Sequence, residues 1–208
     1  MSAWVDGWQP EDAPLLSARQ RAREVGVAAV TPGQGAALRL LALLTGARHA
    51  VEIGTGAGIS TLWLHRGLPA DGVLTTIDVE PEHQRLARLT LSEATVPSGR
   101  VRLIGGRALD LLPRLSDGAY DLVFVDAVRA EDADHLTASL RLLRPGGVVV
   151  FAGVLAGGKV ADPSARDADS VAVRELSRVV REDKRLSPAV LPVGSGLLAA
   201  VLLATPAP

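Results

Sequence analysis

Ala50-Val-Glu-Ile-Gly-Thr-Gly-Ala-Gly-Ile-Ser60 begins as an apolar run, places an acid at Glu52, and then turns on Gly54, Gly56 and Gly58. Ile59, Leu62 and Trp63 follow at once with helical spacing. The pattern predicts a strand, a tight glycine turn and a helix. Glycines let the chain bend and let a ligand approach the main chain closely. The N–H groups left free at the helix start favour carboxylate or hydroxyl oxygens. The stretch reads as a cradle for a small polar ligand.

Regular alternation surrounds this cradle. Helices are expected over Pro14–Val25 and Gly33–Thr45, the second with Leu38, Leu41, Ala42 and Leu44 on one side. Strands are expected over His49–Ile53, Val73–Asp78, Arg100–Ile104, Tyr120–Val125 and Val148–Phe151. Between them lie helices from the glycine turn to Arg66, over Pro81–Ala94 and Gly106–Leu115, and one carrying Ala133, Leu136, Leu140 and Leu143 on one face. Ala152–Asp169 reads as a long loop, in which Lys159, Asp162, Arg166 and Asp167 are placed to contact a substrate or a second subunit. A helix over Ser170–Asp183 follows, then strands Ala189–Val193 and Leu197–Ala204 joined at Gly194-Ser195-Gly196. Near-continuous apolar strands alternating with amphipathic helices imply an α/β fold, a mainly parallel sheet covered on both faces. The last two strands, joined by a tight turn, form an antiparallel hairpin. The chain divides into a mobile or partner-docked arm (1–12), N-terminal helices (13–46) and a core (47–208), all within one domain (1–208).

Composition removes several classes of function. With 22 basic and 23 acidic residues and a net charge of −1, the chain lacks the basic footprint of a nucleic-acid binder. It contains no cysteine, which excludes disulfides, thiolate metal sites and a cysteine nucleophile. Residues 1–12 carry no basic and apolar regions of a secretory signal. Leu186–Pro208 is charge-free and long enough for a membrane span, but Pro188, Pro192, Gly194 and Gly196 break it into two short pieces. A buried hairpin in a soluble cytoplasmic protein is the expectation.

Three acids stand at strand ends: Glu52, Asp78 and Asp126. In such a sheet the ligand lies beyond the carboxyl ends of the strands. Asp78 follows the glycine turn at the distance where a carboxylate accepts both ribose hydroxyls, a geometry shared by dinucleotide sites. The glycine spacing, G-x-G-x-G, differs from the dinucleotide G-x-G-x-x-G/A. Glu52 suits a cationic amino-acid ligand, and together the acids indicate a nucleoside ligand.

Several stretches then resemble one family. Val51-Glu-Ile-Gly-Thr-Gly-Ala-Gly-Ile-Ser-Thr-Leu-Trp-Leu64, Leu74-Thr-Thr-Ile-Asp-Val-Glu-Pro-Glu-His83, Tyr120-Asp-Leu-Val-Phe-Val-Asp126, Leu142-Leu-Arg-Pro-Gly-Gly-Val148 and Leu191-Pro-Val-Gly-Ser-Gly-Leu197 are similar to S-adenosylmethionine-dependent O-methyltransferases of the catechol/caffeoyl-CoA type. The resemblance implies the Rossmann-like class I methyltransferase fold and S-adenosylmethionine as cofactor. It matches Val30 to the methionine part and Glu52, Gly54, Thr55 and Ser60 to the methionine amino and carboxylate groups. Asp78 matches the ribose acid, and Gly106, Arg107 and Ala108 the stretch beside adenine. Gly56 and Val79 complete the cofactor set, and Asp126 matches a residue serving both cofactor and metal.

The chain departs from the family where the metal belongs. The Asp-Asn pair after the fifth strand is replaced by Ala152 and Gly153, and Asp-Ala-Asp-Lys becomes Asp126-Ala-Val-Arg129. One carboxylate makes a weak site for a hard cation, so a divalent metal is doubtful and only Asp126 is left to bind it. Arg129 stays protonated and is a poor base where lysine serves. Val128 stands where an aromatic residue often walls the acceptor. Glu131, Asp132, Asp134 and His135 either rebuild a site or form an acid-rich helix start suited to the macrodipole. His49, His65 and His83 read as ordinary helix or strand-edge residues. Asp126, Arg129 and His135 are the candidate catalytic residues, His135 being the histidine to test as a base. The expected activity is methyl transfer to an oxygen of a small aromatic acceptor by a homodimer. A cofactor-binding protein without catalysis and an NAD(P)-dependent oxidoreductase are the alternatives.

Overall fold

Three helices, α1 (Ser2–Trp8), α2 (Ala13–Glu24) and α3 (Pro32–Leu44), precede the first strand, β1 (His49–Ile53), in the computed structural model, which describes residues 2–204. Helix and strand then alternate through α4 (Ile59–His65), β2 (Val73–Asp78), α5 (Pro81–Glu93), β3 (Val101–Gly105), α6 (Ala108–Leu111) and β4 (Tyr120–Val125). The chain continues through α7 (Asp132–Leu142), β5 (Leu143–Ala152), α8 (Ala168–Glu182) and the strands β6 (Leu186–Leu191) and β7 (Leu197–Leu202). Residues 1 and 205–208 of the expected domain lie outside the described residues.

The strands form one sheet in the order β3-β2-β1-β4-β5-β7-β6. β1 to β5 pair in parallel, and β7 runs antiparallel to both β5 and β6. The chain builds outward from β1 to β3 and returns to the other side of β1, so the order reverses between β1 and β4. A crevice outside the strand ends opens at such a point. β4 shows why the strands read as continuously apolar. Leu122 and Phe124 enter one core with Leu38, Leu62 and Trp63, while Val123 and Val125 enter the other with Leu136, Val173 and Leu176.

Local chemistry sets the lip of the crevice. Thr31 and Gln34 form a reciprocal capping box at the start of α3, and the Gln34 amide donates to Ser195 Oγ at 3.0 Å. That bond ties the segment carrying Val30 to the β6–β7 turn.

The structure revises several expectations. The supposed arm at 1–12 contains α1, which docks on α3: Asp6 accepts a hydrogen bond from the Gly33 N–H at 3.0 Å. Leu44 is exposed rather than inward, because α3 turns its last residue out of the stripe that buries Leu38 and Ala42. β5 starts at Leu143, ahead of Pro145-Gly146-Gly147, and absorbs that segment as an irregularity in its register with β4. β6 begins at Leu186 and holds Pro188 within it, as an edge strand can where a central one cannot. Within the expected loop, Asp167 caps α8 through the Ser170 N–H at 3.1 Å, and Asp162 accepts from Ser164. Among the described residues no helix is long and apolar enough to cross a membrane.

Candidate active site

Two cavities adjoin at the carboxyl ends of β1, β2 and β4. The narrower, of about 100 Å³, lies over the glycine turn between Val27–Val30, Thr55–Ala57 and Ser60. The wider, of about 530 Å³, is walled by Val79, Gly106–Ala108, Val128 and His135. It falls within the roughly 300–1,000 Å³ of small-molecule sites. Gly54, Asp78, His83 and Asp126 line both.

Asp78, the last residue of β2, is held from three directions. The Gly56 N–H donates to Oδ2 and the Glu80 N–H to Oδ1, each at 2.9 Å, and His83 Nδ1 lies 3.1 Å from both oxygens. A carboxylate has about four lone-pair sites, so acceptor capacity remains toward the cavity. Gly54 joins the walls: at φ +94 its N–H bonds to the Ile77 carbonyl, and a Cβ there would overlap the Asp126 carbonyl oxygen. Any side chain at this position would pry β1 from the end of β4.

Glu52 is not in either cavity. It is 0% exposed beneath the turn, where the hydroxyls of Thr61 and Thr76 donate to Oε2 at 2.5 and 2.7 Å. Burial pushes its pKa up to about 7, with the hydroxyls of Ser60, Thr61 and Thr76 pulling the other way. The expectation that Glu52 and Asp78 converge on one ligand is corrected accordingly. The side chain at this register of β1 enters the packed layer under α4, and its carboxyl braces the turn from below.

Beyond β4 the residues are less satisfied. The Asp126 side chain is about a third exposed at 32%, and desolvation raises its pKa while Arg129 lowers it. Arg129, expected as a site residue, lies behind Asp126, only 15% exposed; Nη2 is 3.8 Å from Asp126 Oδ1 and Nη1 is 3.5 Å from Asp132 Oδ2. Burial raises the Asp132 pKa to about 6 against the opposing charge of Arg129. His135 is buried, and burial lowers its pKa, so the imidazole is neutral near pH 7. Its Nε2 is 3.8 Å from Glu131 Oε2, beyond hydrogen-bond distance. It lines the wider cavity with Gly106–Ala108, not the narrower one with Val30 and Ser60.

The residues present do not fit the divalent cation that the resemblance implies. Asp126 faces a guanidinium, Ala152 and Gly153 bring no side-chain oxygen, and a hard cation needs several. Among the described residues no group of three or more His, Cys, Asp or Glu side chains is placed to hold an ion.

Of the residues singled out from the sequence, Val30, Gly54, Thr55, Gly56, Ser60, Asp78, Val79, Gly106, Arg107, Ala108, Asp126 and His135 line these cavities, whereas Glu52 and Arg129 do not. His83 and Val27–Ala29 were missed. His83 had a signal: it stands in the first turn of the helix that follows Asp78, where its ring reaches back to the strand end.

Comparison with known proteins agrees with this geometry. An O-methyltransferase family model matches residues 15–202. A relative from Mycolicibacterium vanbaalenii, named as a candidate O-methyltransferase, is 55% identical over 190 residues, covering 91% of this chain and 84% of its own. The crystal structure of the O-methyltransferase TomG from Streptomyces achromogenes, in complex with SAM, superposes with a TM-score of 0.85 at 38% identity, over 94% of this chain and 92% of that one. The O-methyltransferase from Bacillus cereus, in complex with SAH, gives 0.86 at 31% identity, over 97% and 96%.

Proposed function

We propose, for a chain that belongs to the O-methyltransferase family, transfer of a methyl group from S-adenosylmethionine to a hydroxyl oxygen of a small aromatic acceptor, without a divalent metal. The observation that carries the reading is the pair of adjoining cavities sharing Asp78 and Asp126. One side offers the backbone and hydroxyls of Gly54–Gly56 and Ser60, suited to an amino-acid moiety. The other offers Gly106–Ala108 and a neutral His135, suited to a nucleobase. Asp78 between them suits ribose hydroxyls.

S-adenosylmethionine supplies a methyl group already activated on a sulfonium. The chain's part is to align the acceptor oxygen in line with that methyl and to keep water out. Asp126, at the junction of the two cavities, is the carboxylate placed to take the acceptor's proton. His135 lines the wider cavity alone, on the side suited to the nucleobase, and Arg129 has no basic lone pair to offer. An acceptor with an acidic hydroxyl, such as a phenol, suits so modest a base.

The protein is further read as a cytoplasmic homodimer. Trp4 and Trp8 are exposed on α1 with ring centroids 5.0 Å apart and planes tilted by 38°, and Leu40, Leu43 and Leu44 are exposed on α3. Those residues form an apolar face of the kind that pairs copies. Light scattering on a sizing column checks this directly.

Calorimetry with S-adenosylhomocysteine and with NAD tests the reading. The expected result is binding of the first and none of the second; the reverse overturns it. Transfer of labelled methyl to a panel of phenols and hydroxylated acyl conjugates, run in EDTA, then tests catalysis. Binding without turnover on any acceptor makes the chain a cofactor-binding protein, and loss of turnover in EDTA with rescue by magnesium overturns the metal-free version.

A further inference from the structure

The parallel register of β4 and β5, with Val125 opposite Phe151, brings the residues after the two strands side by side. Asp126 follows the first and Gly153 the second. Between them lies the guanidinium of Arg129, within ion-pair distance of Asp126 on one side and of Asp132 on the other. On the β5 side it fills the space that a side chain at 153 would need: a Cβ on Gly153 would overlap Nη2. No hydrogen bond closes either ion pair. Nη1 and both oxygens of Asp132 are buried without a hydrogen-bond partner among the described residues.

From this arrangement, and resting on the methyl-transfer reading, we infer that Arg129 is the resident cation of the site, a guanidinium lodged between Asp126 and Gly153 that excludes a divalent ion by charge and by volume. Two carboxylates that would otherwise repel each other share one fixed positive charge. Arginine suits the position because it is charged at every accessible pH and less strongly hydrated than lysine. A divalent ion entering beside it would meet a like charge and find no ligand from Ala152 or Gly153. Arg129 is therefore a positioning residue: it holds Asp126 at the meeting point of the cavities and touches no reacting atom. Removing the side chain leaves two acids around an emptied volume, which is the beginning of a cation site.

Mn²⁺ is the probe, followed by the loss of its free electron-paramagnetic-resonance signal, in the wild type, Arg129→Ala and Arg129→Ala/Gly153→Asn. The expected outcome is an undiminished signal with the wild type at millimolar ion, a reduced one with Arg129→Ala, and binding about tenfold tighter again once Gly153→Asn adds an oxygen ligand. Wild-type protein that takes up Mn²⁺ as well as the variants overturns the inference. So do variants that bind none while still melting cooperatively and binding S-adenosylhomocysteine. If Arg129→Ala does not fold, Arg129→Ser in the Gly153→Asn background is read the same way, and the wild-type titration stands regardless. Failure of the wild type to bind S-adenosylhomocysteine instead sinks the methyl-transfer reading and leaves the Mn²⁺ result interpretable.

Discussion

The two halves of the cavity wall are built on opposite principles. On the β1–β2 side, Asp78 is tied by two backbone N–H groups and an imidazole, and Thr55 and Thr76 share a hydrogen bond of 2.6 Å. On the side after β4, Arg129 Nη1, both Asp132 oxygens, both His135 nitrogens and Ser139 Oγ are buried with no partner among the described residues. The first half is largely tied together without its ligand, Glu52 Oε1 being its unpartnered atom on β1. The second carries more desolvated polar groups, each costing about 1–3 kcal/mol, and of these His135 alone lines a cavity.

The contrast can be broken most forcefully at Gly54. Gly54→Ala puts a methyl against the Asp126 carbonyl at a φ that L residues avoid, and about 4 kcal/mol of stability should go with it. Urea unfolding measures that loss, and calorimetry should show S-adenosylhomocysteine binding gone.

Next is Glu52, beneath the rigid half. Its pKa is about 7 folded against 4.5 ordinarily, so the folded state holds a proton that the unfolded chain releases. Its contribution is fully present below pH 4.5 and is lost as pH rises through 7, about 3 kcal/mol in all. Glu52→Gln should therefore gain on the wild type across that window in urea titrations at successive pH values. Parallel curves would show that the buried carboxyl is not protonated.

Asp78→Asn keeps the volume but turns one of the two accepting oxygens into an NH2 donor, set against the N–H of Gly56 or Glu80. S-adenosylhomocysteine affinity should fall by about 2 kcal/mol, roughly 30-fold, with a stability loss of about 1–3 kcal/mol read in the same melts. The smallest effect is expected in the unsatisfied half. His135→Leu relieves the desolvation of two unpartnered nitrogens but gives up the packing of the ring, so stability at pH 7.5 should hold or rise rather than fall. Because the folded His135 pKa lies below its ordinary 6.5, wild-type stability falls as pH drops below that value, and the leucine variant should lose that slope. A large loss at pH 7.5 would mean that the imidazole is bonded after all, and the contrast between the halves would close.

How much of this was legible follows the same divide. The glycine turn, Asp78 and Gly106–Ala108 could be read because each stands at a strand end, and strand ends are local events in the sequence. Glu52 could not, since only the packing of Thr61 and Thr76 against it shows that its carboxyl lies under the turn. Arg129 was visible as a missing lysine, yet its place depends on Gly153, 24 positions away in the chain and adjacent only through the β4–β5 pairing. β6 was displaced for a different reason. Pro188 reads as a breaker until the strand is known to lie at the border of the sheet.

That border has its own consequence. β6 carries one row of backbone groups with no neighbouring strand, and along Ser187–Val190 its residues are exposed. An open flank of this kind is a template on which a foreign strand can grow. Pro188 removes a donor from the row, leaving a gap that an incoming strand cannot match. The hairpin thus resists recruiting further chains into its sheet.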